Sequence, residues 1–166
     1  PSDPTTQMGP LAMARQRERV EAYIAAGRAG GAVLACGGGR PKGLDRGFYV
    51  EPTVFTDVTT DMKIAQEEVF GPVASVIKVD SYDEALSVAN DTAFGLSSGI
   101  ITTSLKYATD FRKKSAAGMV MVNLATAGVD YHVPFGGRKG SSYGAREQGR
   151  HAVDFYTAIK TAYTQA

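Results

Sequence analysis

The sequence predicts an α/β fold with a mostly parallel sheet and flanking helices, because two kinds of segment alternate along its second half. Apolar runs at 73–79, 96–102 and 119–123 have strand length, and amphipathic helical segments separate them. The order β-α-β-α-β is typical of parallel strands joined by right-handed crossovers. A chain of 166 residues buries enough surface to form a hydrophobic core. We therefore expect one α/β domain, preceded by a tail or linker over residues 1–8.

The first half of the chain is expected to contain two helices and two extended segments. Pro10 suits a first helical turn, where its missing N–H costs nothing, and glycines from Gly27 onward end that helix. Residues 32–36 and 48–58 are predicted to be extended, with Pro52 favouring an edge or bulged position. A short helix, with Asp61 as its N-cap, is expected to run to about residue 69 before Gly71-Pro72 stops it.

Two helices in the second half carry recognisable start signals. Ser81 and Glu84 form a capping-box pattern, and Ser104 occupies the N-cap position of the next helix. A glycine-rich loop follows at 124–144, a last helix is expected near Arg146, and residues 158–163 can extend as a strand. These local signals place each helix without reference to tertiary contacts.

Charge and thiol content exclude several classes of function. Lys plus Arg total 18 against 17 for Asp plus Glu, so the net charge of +1 predicts neither a nucleic-acid nor a membrane partner. No apolar run approaches the roughly 18 residues of a bilayer span. One cysteine and two histidines form no intrachain disulfide and supply few metal ligands, so we predict no metal site and a cytoplasmic protein.

Neither Cys36 nor the glycine-rich loop predicts catalysis. Cys36 as a nucleophile would need a base, usually histidine, and neither histidine is near it in sequence. A small buried residue at a strand end is the favoured interpretation of this cysteine. Lys139-Gly140-Ser141 reverses the Gly-Lys-Ser/Thr order of a phosphate-binding loop. We therefore assign no catalytic residue within this chain.

The most informative segment is QEEVFGP at 66–72, which contains adjacent glutamates and an aromatic residue. Adjacent helical residues point about 100° apart, so Glu67 and Glu68 cannot act as a pair on one substrate. Glu68 is expected in the last helical turn, where the helix dipole disfavours negative charge and a binding role can explain its presence. A carboxylate can accept hydrogen bonds from both hydroxyls of a sugar diol, and Phe70 could pack a ribose or a flat base. The alternative is a solvated Glu67, a Glu68 paired with a basic residue and a Phe70 in the core.

Several motifs in order resemble the C-terminal part of the aldehyde dehydrogenase superfamily. They are GFYVEPTVF at 47–55, IAQEEVFGP at 64–72, ANDTAFGL at 89–96, Gly118 followed by Val122-Asn123, and PFGGRK at 134–139. The resemblance covers the chain from Gly9 onward. It implies a catalytic-domain portion over 9–157 that lacks the nucleophile segment, and a subunit-exchanged oligomerisation strand over 158–166.

The resemblance also implies a reaction and a set of site residues. Members of the superfamily oxidise an aldehyde to a carboxylate with NAD or NADP through a thioester on a cysteine. By motif, Glu68 matches the glutamate that binds the nicotinamide ribose, and Phe70 the aromatic residue beside it. Thr126, Val129 and Phe135 are the weaker candidates for lining the aldehyde entrance.

The nucleophilic cysteine and the glutamate base of the superfamily are absent from this chain, so the fragment alone is expected to be inactive. A small aldehyde and a second copy of the chain, joined through the C-terminal strand, are the expected partners. The loop at 122–135 is most similar to that of alpha-ketoglutarate semialdehyde dehydrogenases, although Ala125 and Ala145 replace prolines of that group. The alternative function is a catalytically silent oligomerisation or interaction module of the same fold.

Overall fold

The computed structural model describes residues 3–128 and 130–165. The chain divides into two compact units, Pro1–Val79 and Asp80–Ala166, and each is described by itself. Both units combine helices with short strands, which confirms the predicted α/β class.

The first unit contains a helix packed on a three-stranded sheet. Helix α1 spans Ala14–Ala29, and the strands are β1 (Val33–Cys36), β2 (Thr53–Thr56) and β3 (Val73–Ser75). Their order is β1-β2-β3, with β1 antiparallel and β3 parallel to β2. Helix α2, Lys63–Gln66, lies in the connection between the two parallel strands.

The hydrophobic core of this unit forms where α1 meets β2. Val20 and Phe55 have no exposed surface, and Ile24 and Ile64 are 4% and 5% exposed. Thr53 is also buried, with its hydroxyl donating to the Glu51 carbonyl at 2.8 Å. Residues along β2 alternate between buried and half-buried because one face of the sheet packs on α1.

The second unit contains one complete parallel crossover. Helix α3 spans Tyr82–Asn90, β4 Ser97–Ile100, α4 Leu105–Lys114 and β5 Met119–Val122. Strands β4 and β5 pair in parallel from Ser97↔Met119 to Ile100↔Val122. Two 3₁₀ turns, Lys139–Ser141 and Gly149–His151, precede helix α5 at Ala152–Tyr156.

Both predicted N-caps of this unit are present. The Glu84 N–H donates to Ser81 Oγ at 3.1 Å, and the Tyr107 N–H donates to Ser104 Oγ at 3.4 Å. The Glu84 carboxylate accepts from the Asp80 N–H at 2.8 Å, one position before the N-cap. Local side-chain chemistry thus begins α3 and α4 where the sequence places them.

Other predicted details of the strands and of α2 are wrong. Strand β3 pairs with β2, whereas β4 and β5 form a separate sheet, so the predicted order β-α-β-α-β does not form one continuous sheet. Strand β2 is central and not the predicted edge strand, although its pairing with β1 has a bulge-like register shift between Leu34 and Cys36. Pro52 precedes the strand and therefore removes no ladder hydrogen bond. The N-cap of α2 is Met62, since Asp61 instead accepts a hydrogen bond from Thr59.

The end of the described chain is exposed and has no regular secondary structure. Residues 158–165 adopt neither helix nor strand, and Ile159 and Tyr163 are 97% and 95% exposed. A strand requires an edge with which to pair, and the predicted strand over 158–163 does not form within this chain. Among the described helices, none has the length and apolarity required to cross a bilayer.

Candidate functional site

The segment from Glu67 to Pro72, called here the 67–72 segment, connects α2 to β3. Helix α2 ends at Gln66, and Glu67 is already extended with φ −109° and ψ 149°. Glu68 therefore lies beyond the helix. The sequence had predicted it in the last helical turn. The helix-dipole argument for Glu68 is consequently wrong, and its role depends on its surroundings.

Glu67 is engaged by the protein itself. The Tyr23 hydroxyl donates to Glu67 Oε2 at 2.7 Å, and Lys63 Nζ lies 3.9 Å from the same oxygen. Lys63 Nζ also lies 5.1 Å from the centre of the Tyr23 ring. Because Tyr23 is only 8% exposed, this carboxylate satisfies a nearly buried phenol and supports the helix packing.

Glu68 and Phe70 face solvent. Glu68 is exposed, and in the part of the chain that the structure describes its carboxylate has no hydrogen bond or ion pair. Phe70 is 70% exposed and has a φ of +56°, in the left-handed region that bulky side chains avoid. Residues held in such sparsely populated backbone regions cluster at active sites and ligand-binding segments.

Two side chains of α1 hold the backbone of the 67–72 segment. Gln16 Nε2 donates to the Phe70 carbonyl at 2.5 Å and lies 3.5 Å from the Val69 carbonyl. Arg19 Nη2 donates to the Glu68 carbonyl at 2.6 Å. Both contacts use the main chain of the segment, so they leave the Glu68 carboxylate and the Phe70 ring available.

Gly71 brings the same segment against the core. A Cβ atom at this position would lie 2.4 Å from Val20 Cγ2, closer than real Cβ atoms approach. The 67–72 segment is thus attached to α1 by hydrogen bonds from three side chains, those of Gln16, Arg19 and Tyr23. Close packing at Gly71, which has no side chain, adds to this attachment.

These contacts argue against the alternative interpretation of the segment. It required a solvated Glu67, a paired Glu68 and a Phe70 in the core. The structure instead pairs Glu67 with Tyr23 and Lys63, leaves Glu68 without a side-chain partner among the described residues and exposes Phe70. An available carboxylate two residues from an exposed ring suits a ligand that combines a diol with a flat ring.

The residues predicted to line an aldehyde entrance follow β5 in the second unit. Thr126 is exposed, and a Cβ atom at Gly99 on β4 would lie 3.0 Å from its methyl group. Phe135 is half-buried and exchanges backbone hydrogen bonds with Glu147 at 2.7 and 3.1 Å. Val129 lies outside the described residues.

The loop that contains Thr126 begins at a clamp between the ends of two strands. Asn123 follows β5 with a φ of +56°, and its side chain contacts Thr102, which follows β4. The Thr102 N–H donates to Asn123 Oδ1 at 2.8 Å, and Asn123 Nδ2 donates to the Thr102 carbonyl at 3.0 Å. One amide thereby joins the carboxyl ends of both parallel strands.

The glycine-rich residues after Phe135 serve packing. A Cβ atom at Gly118 would lie 2.2 Å from the Gly136 carbonyl oxygen, so only glycine permits this backbone approach. Lys139 Nζ donates to the carbonyls of Asn90 and Thr92, at 2.5 and 2.9 Å, at the end of α3. The lysine is therefore committed to a helix terminus, where a cation is favourable.

Cys36 differs from its predicted environment. It is exposed, and its sulfur lies 3.9 Å from the Pro52 carbonyl oxygen. In the described chain, no three side chains of His, Cys, Asp or Glu form a group that could hold a metal ion.

Sequence reasoning selected Glu68 and Phe70 as candidate site residues but did not select Gln16 and Arg19, which contact the same segment. The polar run at 15–19, which interrupts the apolar face of α1, is the signal that could have found them. The structure brings these four residues together within the first unit. Thr126 and Phe135 belong to the second unit.

The chain is similar to proteins of a known family. The aldehyde dehydrogenase family profile matches residues 1–162, and the chain belongs to that family. It is 47% identical to a betaine aldehyde dehydrogenase of Brucella anthropi and 48% identical to one of Brucella melitensis, each over 99% of this chain. It spans about a third, 34%, of the length of these curated relatives.

Solved structures show the same fold. The Mycobacterium tuberculosis aldehyde dehydrogenase complexed with NAD⁺ is 44% identical with a TM-score of 0.89, over 99% of this chain and 35% of that one. An indole-3-acetaldehyde dehydrogenase of P. syringae, in complex with NAD⁺ and IAA, is 41% identical with a TM-score of 0.89. That match covers 99% of this chain and 33% of the solved chain.

Proposed function

We propose that this chain is the C-terminal portion of an NAD(P)-dependent aldehyde dehydrogenase and contributes a contact to the nicotinamide ribose. Family membership and the NAD⁺ complexes of its structural relatives support the cofactor. The observation that carries the assignment is the 67–72 segment, in which Glu67 is used structurally while Glu68 and Phe70 stay available.

Glu68 and Phe70 have complementary roles in this proposal. The Glu68 carboxylate accepts hydrogen bonds from the ribose hydroxyls, and the Phe70 ring packs beside the sugar or the nicotinamide. When bound, NAD(P) supplies a hydride acceptor for oxidation of the aldehyde to a carboxylate. The contribution of this chain is to orient that acceptor, which is a positioning effect.

We place the reactive cysteine outside these 166 residues. Cys36 is the only thiol, and it is exposed at the end of β1 beside a backbone carbonyl. Among the described residues, no basic side chain is hydrogen-bonded or ion-paired to Cys36, and a thiol without an activating base is a weak nucleophile. The thioester step therefore belongs to another part of a longer protein, and this fragment alone is inactive.

We propose that Thr126, Val129 and Phe135 line the aldehyde entrance. Thr126 is exposed, and the Asn123 clamp determines where its loop begins. The loop resemblance and the curated relatives suggest two substrates to compare, alpha-ketoglutarate semialdehyde and betaine aldehyde. A single thiol leaves no intrachain disulfide, which is compatible with the cytoplasmic location that we propose.

Glu68→Gln in the longer protein tests the cofactor contact. Loss of the charged acceptor is expected to raise the KM for the cofactor about tenfold, equivalent to a charge-assisted hydrogen bond of about 1.5 kcal/mol. Steady-state kinetics with varied cofactor measure this change. Glu67→Gln is the matched control, because its amide oxygen can still accept the hydrogen bond from Tyr23, so the segment keeps this contact and cofactor affinity should not change. Equal cofactor KM values for the wild type and Glu68→Gln would remove Glu68 from the site.

A second candidate function is a catalytically silent module that pairs copies of the chain through residues 158–166. Exposed Ile159 and Tyr163 favour it, since a segment with exposed apolar side chains and no regular structure of its own can pair with a sheet edge. The same segment would join subunits in the aldehyde dehydrogenase proposal. The mass of the purified chain in solution tests this pairing, and a strictly monomeric chain argues against it.

A further inference from the structure

The unusual backbone of Phe70 requires an explanation that its own side chain does not provide. A φ of +56° is unfavourable for an aromatic residue, and Phe70 gains little packing energy because its ring is 70% exposed. Contacts from elsewhere in the chain must therefore over-determine this conformation.

Gln16 and Arg19 provide those contacts. Their side chains donate to the Phe70 and Glu68 carbonyls at 2.5 and 2.6 Å, across separations of 54 and 49 residues. The two donors lie on one helix that is itself fixed in the core by Val20, so they form a rigid template. Gly71 packs against Val20 immediately after the strained residue.

The carbonyl groups and the side chains of the segment have different partners. The Phe70 and Glu68 carbonyl oxygens accept hydrogen bonds from α1 in place of water, while the Glu68 carboxylate remains available in the described chain. Rotation of the Phe70 peptide back to an ordinary conformation would break the Gln16 hydrogen bond and redirect the ring.

We propose that Gln16 and Arg19 are positioning residues, which hold the 67–72 segment in the shape that presents Glu68 and Phe70 to the cofactor. They act through the backbone of the segment, and their role depends on the proposed cofactor contact of Glu68. Neither needs to touch the cofactor or the reacting atoms.

The test uses the longer protein with Arg19→Ala and Gln16→Glu, the second of which keeps the side-chain size but removes the amide donor. Each is expected to raise the Kd for NAD, measured by calorimetry, about tenfold, the change that corresponds to one lost charged or strongly polar hydrogen bond. Amide hydrogen exchange in residues 67–72 should accelerate, a readout independent of catalysis. Arg19→Lys, which keeps a charged donor, should restore part of the affinity.

Arg15→Ala is the matched control, since Arg15 is exposed on the same helix and has no side-chain partner within the described residues. It should change neither NAD affinity nor exchange in the segment. The double variant Arg19→Ala with Glu68→Gln completes the design. If Arg19 acts through Glu68, adding Arg19→Ala to Glu68→Gln should weaken NAD binding little further.

Two results separate the proposals. Normal NAD affinity in Arg19→Ala and Gln16→Glu, together with weak binding by Glu68→Gln, overturns the positioning role and leaves the cofactor contact intact. Full additivity of Arg19→Ala with Glu68→Gln also overturns it. Normal binding by Glu68→Gln overturns the cofactor contact and, with it, the positioning role.

Discussion

Glu67 and Glu68 show how surroundings assign different roles to two identical side chains. Glu67 accepts a hydrogen bond from the nearly buried Tyr23, whereas Glu68 is exposed and its carboxylate has no partner among the described residues. Glu67 has extended backbone, and along such backbone successive side chains point to opposite sides, so neighbouring residues meet different surroundings. The residue that the protein does not use for itself is the one available to a ligand.

Gly71→Ala is expected to destabilise the first unit by about 1–3 kcal/mol, the typical cost of overpacking a filled core. The added methyl group would lie 2.4 Å from Val20 Cγ2, and Val20 is fully buried. Urea unfolding measures the change. Gly9→Ala is the control, because a Cβ atom there meets nothing within 4 Å. Equal midpoints for the two variants would contradict the close packing of Gly71.

At the scale of elements, one amide joins the ends of β4 and β5. The Asn123 side chain both accepts from and donates to the Thr102 backbone, and Asn123 adopts a φ of +56°. Asparagine tolerates this region better than most residues because its short polar side chain forms local hydrogen bonds. The clamp therefore combines a conformational preference with two hydrogen bonds.

Replacing Asn123 separates these contributions. Asn123→Ala should cost about 1–3 kcal/mol, since it loses both hydrogen bonds and adds left-handed strain. Asn123→Gly loses the hydrogen bonds but accepts the backbone conformation, so it should be less destabilising. Thermal or urea unfolding of both variants checks the order. A glycine variant less stable than the alanine variant would show that the positive φ is not the source of strain.

Helices α3 and α4 are in contact through two stacked tyrosine rings, one of which is hydrogen-bonded to a carboxylate on α4. The Tyr82 and Tyr107 rings stack with centres 4.4 Å apart, and the Tyr82 hydroxyl donates to Asp110 at 2.9 Å. Lys114 Nζ lies 2.9 Å from the other Asp110 oxygen, and its hydrogen bond is the main cause that lowers the Asp110 pKa. Burial, reinforced by Asp110, raises the pKa of Tyr82 to about 12.

This raised pKa predicts a loss of stability in alkali. Tyr82 ionises in the unfolded chain near its ordinary pKa of 10.0 and in the folded chain near 12. Its contribution is therefore complete below pH 10.0 and is lost as the pH rises toward 12. Tyr82→Phe should reduce the alkaline loss in urea-unfolding experiments, whereas Tyr107→Phe should not. The pKa of Lys114 is also raised, mainly by its hydrogen bond to Asp110, so part of the loss should remain in Tyr82→Phe. Identical pH profiles for both variants would contradict the coupling.

At the scale of the whole molecule, this chain spans about a third of its curated relatives, 34% of their length. We predict that the purified chain alone does not oxidise aldehydes and binds NAD only weakly, because it supplies a ribose contact and an aromatic wall without an activated thiol. Aldehyde-dependent NADH formation and calorimetry measure the two properties. Micromolar NAD binding or measurable turnover by the chain alone would contradict this prediction.

Sequence patterns predicted those features that depend on near neighbours along the chain. The Ser81 and Ser104 caps were confirmed because an N-cap needs only an N–H three residues away. The pairing of β3 with β2 was not predictable in this way. The two strands are separated along the chain, and the strand with which β3 pairs depends on how the core around α1 packs. The end of α2 was misplaced because a four-residue helix has too little periodicity to define its bounds.

By itself, the sequence determined the α/β class, the starts of α3 and α4 and the motif that contains Glu68 and Phe70. Only the tertiary structure decided which glutamate is available, why Phe70 is exposed and which side chains hold the segment. The physical reason is distance along the chain: Gln16 and Arg19 reach carbonyls 54 and 49 residues away, and no local pattern encodes such contacts.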